Sequence, residues 1–192
     1  MIPTAAAVVN LFDAAIALAN RGLPVLPCAG KRPLTRHGVH EATRDRALIA
    51  DWWTRHPEAN IGIAVPSGYV VLDVEAEGIA TVADRHLPHT VTARTGGGGF
   101  HYWYRLPDGV EGVNRNLRTD GLEADLKGPG GYVIAPPSVH PDTGERYVWA
   151  DLCGPGEVAV ADAPGWLVDL VTGADRGGDR GADRGGDRLT CA

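Results

Sequence analysis

Asp73 and Glu75 stand two positions apart at the end of the run Tyr69-Val-Val-Leu-Asp-Val-Glu75, whose other residues are aliphatic or aromatic. Alternate side chains of a strand share a face, so this spacing projects both carboxylates together while Leu72 and Val74 turn the other way into apolar packing. Two ionised acids held side by side repel each other. A hard divalent cation between them, Mg²⁺ or Mn²⁺, relieves that repulsion through oxygen ligands. The plainer alternative is a strand with a polar, solvated face, and Asp-x-Glu alone does not decide between the two.

Other stretches carry residues able to assist. Thr95-Gly-Gly-Gly-Gly-Phe-His101-Tyr-Trp-Tyr-Arg105 joins four glycines to a strand pattern. Consecutive glycines let backbone approach a ligand and present N–H groups to an anion. The run lacks the Gly-Lys-[Ser/Thr] ending of a Walker A loop and enters a strand instead of a helix. On that strand His101, Trp103 and Arg105 share a face, and an imidazole there either serves the core or donates to a phosphate oxygen. Further on, the spacing predicts Glu123, Asp125 and Lys127 on one strand face, either as a surface ion pair or as part of a site. Lys31, Arg32, Arg36 and His37 make the loop 28–38 basic, and Arg115 and Arg118 form a second basic pair. Both sets read as solvated surface or as contacts to nucleic-acid phosphates.

The elements that must position these residues follow from periodicity. Thr4 is placed to cap a helix through Asn20, with Val8, Leu11, Phe12, Ala15, Ile16 and Ala19 as its buried stripe. Leu23–Pro27 reads as a short strand whose prolines suit an edge or boundary. A second helix is expected from Thr43 or Arg44 to His56, anchored by Leu48, Ile49, Trp52 and Trp53. The two tryptophans are candidates for stacking on bases, but a helix needs such residues in its core. Asn60–Val65 alternates like a strand, and the turn residues Pro66-Ser-Gly68 suggest a hairpin with the carboxylate strand. A short helix after Gly78, strands at 90–94, 100–105, 132–135 and 146–149, and a closing helix over 164–170 complete the pattern.

The 192 residues, 44% of them hydrophobic, suffice for one domain, expected over residues 1–172. From Gly173 to Arg188 the tetrapeptide Gly-x-Asp-Arg repeats four times. With so little to bury, 173–192 is expected to form a disordered tail. A net charge of -6 announces no global basic field, so nucleic acid would be held by local patches or through metal. Cys28, Cys153 and Cys191 show no C-x-x-C pairing, which argues against structural zinc and a disulfide framework and fits a reducing cytoplasm. The alanine-rich start has no basic leader, and Asn10 and Asp13 interrupt its apolar run. Neither a signal peptide nor a membrane span is expected.

The ordered set of motifs resembles the N-terminal domain of bifunctional DNA primase/polymerases, a branch of the archaeo-eukaryotic primase superfamily. The resemblance rests on Gly30-Lys31-Arg-Pro33 with Gly38 and Ala42-Thr43, Trp52-Trp53 with Pro57, Asn60-Ile-Gly62 and Val71-Leu-Asp73-Val-Glu75. It continues through Thr95-Gly with Gly98-Gly-Phe-His101, Asp125-Leu-Lys127-Gly and Gly130-Gly-Tyr-Val-Ile-Ala-Pro-Pro-Ser138. It implies an α+β fold, a mainly antiparallel sheet flanked by helices with a modified RNA-recognition-like core. It also implies template-directed nucleotidyl transfer with two divalent ions. Asp73, Glu75 and Asp125 would be metal ligands, with Glu123 a rival for the third place. His101, Lys127, Gly98 and Gly99 would bind the nucleotide. Nucleoside triphosphates and a single-stranded or primed DNA template are the implied partners, with a separate replicative helicase as a further one. The competing classes are a catalytically inactive module binding nucleotide or single-stranded DNA, and a metal-dependent nuclease.

Overall fold

The computed structural model describes residues 10–174. The expected Thr4 cap and all but the first two residues of the expected tail lie outside that range. Helix α1 (Leu11–Asn20) starts at Leu11 because Asn10 is extended, and its side chain accepts hydrogen bonds from the amides of Phe12 and Asp13. The same arrangement moves the start of α2 (Arg46–Arg55). Asp45 caps it, while Thr43 is drawn into an isolated bridge with Val25. Ile49, Trp52 and Trp53 are buried on α2, but Leu48, expected among its anchors, faces solvent. Both tryptophans therefore belong to the core, and Trp53 Nε1 donates to the carbonyl of Ala59.

The expected α+β architecture of antiparallel strands flanked by helices is present, with the strands divided between two sheets. The smaller has the order β2 (Arg32–Pro33), β1 (Val25–Ala29), β3 (Asn60–Ala64), β9 (Tyr132–Ala135). The larger runs β10 (Val148–Trp149), β5 (Thr92–Arg94), β6 (Phe100–Arg105), β4 (Tyr69–Val74), β8 (Ala124–Lys127), β7 (Arg115–Asn116). Beyond the end of β5, β11 (Ala161–Asp162) pairs with β6 in parallel at Tyr104 and Arg105. The expected hairpin between β3 and β4 does not form. Strand β3 is paired on both sides by β1 and β9, and β4 by β6 and β8, so the turn at Pro66–Gly68 passes the chain from one sheet to the other. Pro27 lies within β1, where its carbonyl accepts from the amide of Leu34 on the thinly paired β2 side.

Strand alternation sorts the side chains into layers. Ile61, Ile63, Val133 and Ala135 of the smaller sheet meet Val71 and Trp103 of the larger one in a core closed by α1 and α2. Val70, Leu72, Val74, Tyr104 and Leu126 turn to the opposite face of the larger sheet. There they pack with Val82 of α3 (Ile79–Val82) and Leu167, Leu170 and Val171 of α4 (Gly165–Thr172). Leu72 and Val74 thus occupy the apolar face expected of them. Among the described residues no helix is long and apolar enough to cross a membrane.

Two loops are tied down by motif residues. The Asn60 side chain donates to the carbonyls of Gly30 and Val139 and accepts from the amide of Val139, while the amide of Ile61 donates to Ser138 Oγ. These bonds fix the segment leading to Lys31 against the exit of β9.

The glycine run fits here through close packing. A Cβ at Gly99 would lie 2.0 Å from the carbonyl oxygen of Val74, and one at Gly96 would lie 2.3 Å from that of Glu145. Gly165, at the first position of α4, has nothing within 4 Å of a Cβ. Gly99→Ala is therefore expected to destabilise the fold by about 2–4 kcal/mol through forced backbone movement. Gly165→Ala should be neutral or stabilise by up to about 1 kcal/mol. Denaturant melts of the two variants check the contrast, and equal stabilities would contradict it.

Candidate active-site cleft

The face of β4 that buries Val71 beneath α1, α2 and the smaller sheet carries Asp73 one rung further on, where that packing runs out. A cleft of about 580 Å³ opens at this point, lined by Asp73, Glu75, His101, Asp125, Lys127 and Lys31, with Asn116, Arg115, Tyr132, His140 and Tyr147 around them. Strand register builds its floor. Asp73 lies directly opposite His101 on β6 and directly opposite Asp125 on β8, so the three side chains stand in one row. Lys127 is two residues along β8, opposite Val71. Glu75 follows the last residue of β4 and lines the same cleft.

Each inner carboxylate has partners. His101 Nε2 lies 3.3 Å from Asp73 Oδ1, and the imidazole is almost wholly buried. Asp125 accepts on both oxygens, from Asn116 Nδ2 at Oδ1 (2.7 Å) and from Lys127 Nζ at Oδ2 (2.7 Å). Burial works to raise the Asp73 carboxyl pKa, but the adjacent His101, then Lys127 and Lys31, outweigh it and hold the group below the ordinary carboxylate range. Tyr147 is buried against both His101 and His140, with ring centroids 6.0 Å apart in each case. Burial, then the charges of Asp73, Glu75 and Asp142, push its hydroxyl upward, so it faces the cleft as a neutral phenol.

The remaining expected site residues are dispersed. Glu123 precedes β8 and forms an ion pair with Arg118 (2.6 Å), and neither lines the cleft. Arg115 lines it and contacts Asp120 (3.2 Å). Lys31 lines it and its carbonyl accepts from the Tyr132 hydroxyl (2.7 Å), whereas Arg32 and Arg36 lie outside. Gly98 and Gly99 also lie outside the lining. Their amides donate to Thr95, to its carbonyl and its Oγ1 respectively. Asn116, Tyr147 and His140 are cleft residues that the sequence reading missed. Only the strand expected at 146–149 touched one of them, because what brings them in is pairing between distant segments.

Asp73, Glu75 and Asp125 offer hard oxygen donors, the chemistry that suits Mg²⁺ or Mn²⁺. Among the described residues no three or more His, Cys, Asp or Glu side chains converge closely enough to hold a metal ion as they stand. Asp73 is engaged by His101, and Asp125 by Asn116 and Lys127. The donor set fits such ions once the carboxylates draw together around one. Two polar atoms beside the cleft, His101 Nδ1 and Arg115 Nε, are buried with no hydrogen-bond partner among the described residues, an unused capacity of the kind functional sites retain.

The depressed Asp73 pKa fixes the sign of a pH effect. A carboxyl whose folded value lies below its unfolded value of about 4 stabilises the fold fully above that pH, and the contribution is lost as pH falls through the folded value. Acid denaturation of the wild type beside Asp73→Asn is expected to show a shallower loss of stability below about pH 4 in the variant. Parallel curves would contradict the assignment.

No curated protein matches the chain. A family model described as bifunctional DNA primase/polymerase, N-terminal, matches residues 15–166, a span that holds every cleft residue named above. The α+β architecture agrees with that match. Since the matched span covers well over half of the 192 residues, the chain belongs to the bifunctional DNA primase/polymerase, N-terminal family.

Proposed function

We propose that this cleft performs template-directed nucleotidyl transfer, as a DNA primase, a DNA polymerase or both. Family membership carries the general activity and its nucleotide and DNA substrates. The reading of the site rests on one observation, the register that sets His101, Asp73 and Asp125 abreast on the floor of a polar cleft. In it Asp73, Asp125 and Glu75 supply the oxygens that hold two divalent cations. Bound there, such ions lower the pKa of the attacking hydroxyl and neutralise charge on the departing pyrophosphate.

The chain's own groups do the positioning. His101 places a ring donor next to Asp73, within the row that would meet the phosphates. Lys127 brings an ammonium to the same edge, and Arg115 presents a guanidinium from β7, both suited to the triphosphate. Tyr147, neutral among carboxylates, contributes a hydroxyl without adding charge. Lys31, held by the Asn60 bonds and by Tyr132, lies on the opposite wall, where the template phosphates would run. Arg32 and Arg36 continue this basic loop beyond the cleft.

Incorporation of labelled nucleotides on a single-stranded template, with Mg²⁺ or Mn²⁺ and with or without an annealed primer, tests the proposal. The expected result is metal-dependent extension that falls on the order of a thousandfold or more in Asp73→Asn and Asp125→Asn while both variants stay folded. Products formed without primer would identify a primase. Full activity in either variant would refute the site. Nucleotide binding without synthesis would favour an inactive binding module, and shortening of the labelled strand would favour a nuclease.

A further inference from the structure

Lys127 is a cleft residue with two claims on it, Asp125 and the triphosphate. Its ammonium donates to Asp125 Oδ2 at 2.7 Å, and both side chains are only about 30% exposed, 28% for the lysine and 31% for the aspartate. The other oxygen of Asp125 accepts from Asn116. A divalent cation ligated by Asp125 would meet oxygens that already accept from these two donors. Asn116 is neutral and can keep its bond while the carboxylate ligates through the other oxygen. The ammonium at Oδ2 is repelled by a second positive charge that binds there, because two cations would share one anion at contact distance.

We propose that Lys127 is an exchangeable counter-ion, competing with a divalent cation for Asp125 and moving to the triphosphate of the incoming nucleotide when the cation displaces it. The inference rests on the reading of Asp125 as a metal ligand and adds a coupling to it. Cation binding frees the ammonium that the nucleotide needs, and nucleotide binding removes the competitor that the cation meets. By linkage each ligand raises the affinity for the other by the same factor. Lys31 provides the comparison. It lines the same cleft and contributes to the field at Asp73, but its ammonium has no contact with Asp125 among the interactions described.

The test is Mn²⁺ binding to the nucleotide-free chain, followed by electron paramagnetic resonance at fixed pH and ionic strength. It compares the wild type, Lys127→Gln, Lys127→Met and Lys31→Gln. Loss of a charge-assisted contact predicts that both Lys127 variants bind Mn²⁺ about tenfold more tightly, while Lys31→Gln changes affinity by about twofold or less. Two Lys127 substitutions guard against one that fails to fold. In a second arm, binding of a fluorescent deoxynucleoside triphosphate is measured with and without Mg²⁺. The enhancement by Mg²⁺ is expected to shrink by about the same tenfold factor in Lys127→Gln. Unchanged or weaker Mn²⁺ binding in the Lys127 variants would overturn the exchange while leaving the metal site intact. An equal gain in Lys31→Gln would also overturn it, showing a general field effect. Absence of Mn²⁺ binding in every protein would overturn the metal site together with the exchange.

Discussion

Two carboxylates facing each other across paired strands are the constraint from which the rest of the cleft follows. Asp73 and Asp125 occupy directly opposed positions on β4 and β8, where like charges destabilise a sheet. The fold keeps them by surrounding them with compensating groups. His101 flanks Asp73 on the other neighbouring strand, Lys127 and Asn116 occupy the oxygens of Asp125, and Lys31 reaches in from the opposite sheet. Desolvation, which would otherwise push the Asp73 proton back on, is outweighed by these neighbours. Charge is concentrated where the molecule can hold it ionised.

Everything that places these groups is non-local. The larger sheet supplies the row of side chains, and the smaller sheet supplies the wall with Tyr132 and the loop bearing Lys31. The two diverge one rung beyond the Val71 and Trp103 packing. Asn60 and Ser138, both buried and bonded through their side chains, lock the smaller sheet to the loops that close the cleft. The glycines before His101 let β6 begin within contact of Val74 and Glu75, which brings His101 into line with Asp73. Their tight packing shapes the cleft indirectly, by setting the register.

What the sequence made legible was local in origin. Period-two alternation placed Asp73 apart from Leu72 and Val74, the anchors Ile49, Trp52 and Trp53 located α2 to within a few residues, and the helix expected over 164–170 overlaps α4. The turn signal at Pro66–Gly68 was genuine, but turn chemistry does not say which strand comes next to which. The hairpin drawn from it failed because both edges of β3 were already taken by β1 and β9. The glycine run was visible as an anomaly of composition, while its reason, contact with Val74 and Glu145 carbonyls, lies in segments that periodicity cannot connect. Asp125 could be singled out over Glu123 only by resemblance. The structure separates them by strand boundary and by the Arg118 ion pair. Asn116 and Tyr147 gave no signal because their contribution is made entirely through pairing across the sheet and ring packing.

The most direct test of the account is crystallographic, the anomalous scattering of Mn²⁺ soaked into crystals of the chain. Density is expected within ligand distance, about 2–2.6 Å, of carboxylate oxygens of Asp73 and Asp125, with Glu75 adjacent and Lys127 withdrawn from Asp125. Manganese found elsewhere, with the bonds of Lys127 and Asn116 to Asp125 undisturbed at saturating metal, would contradict it.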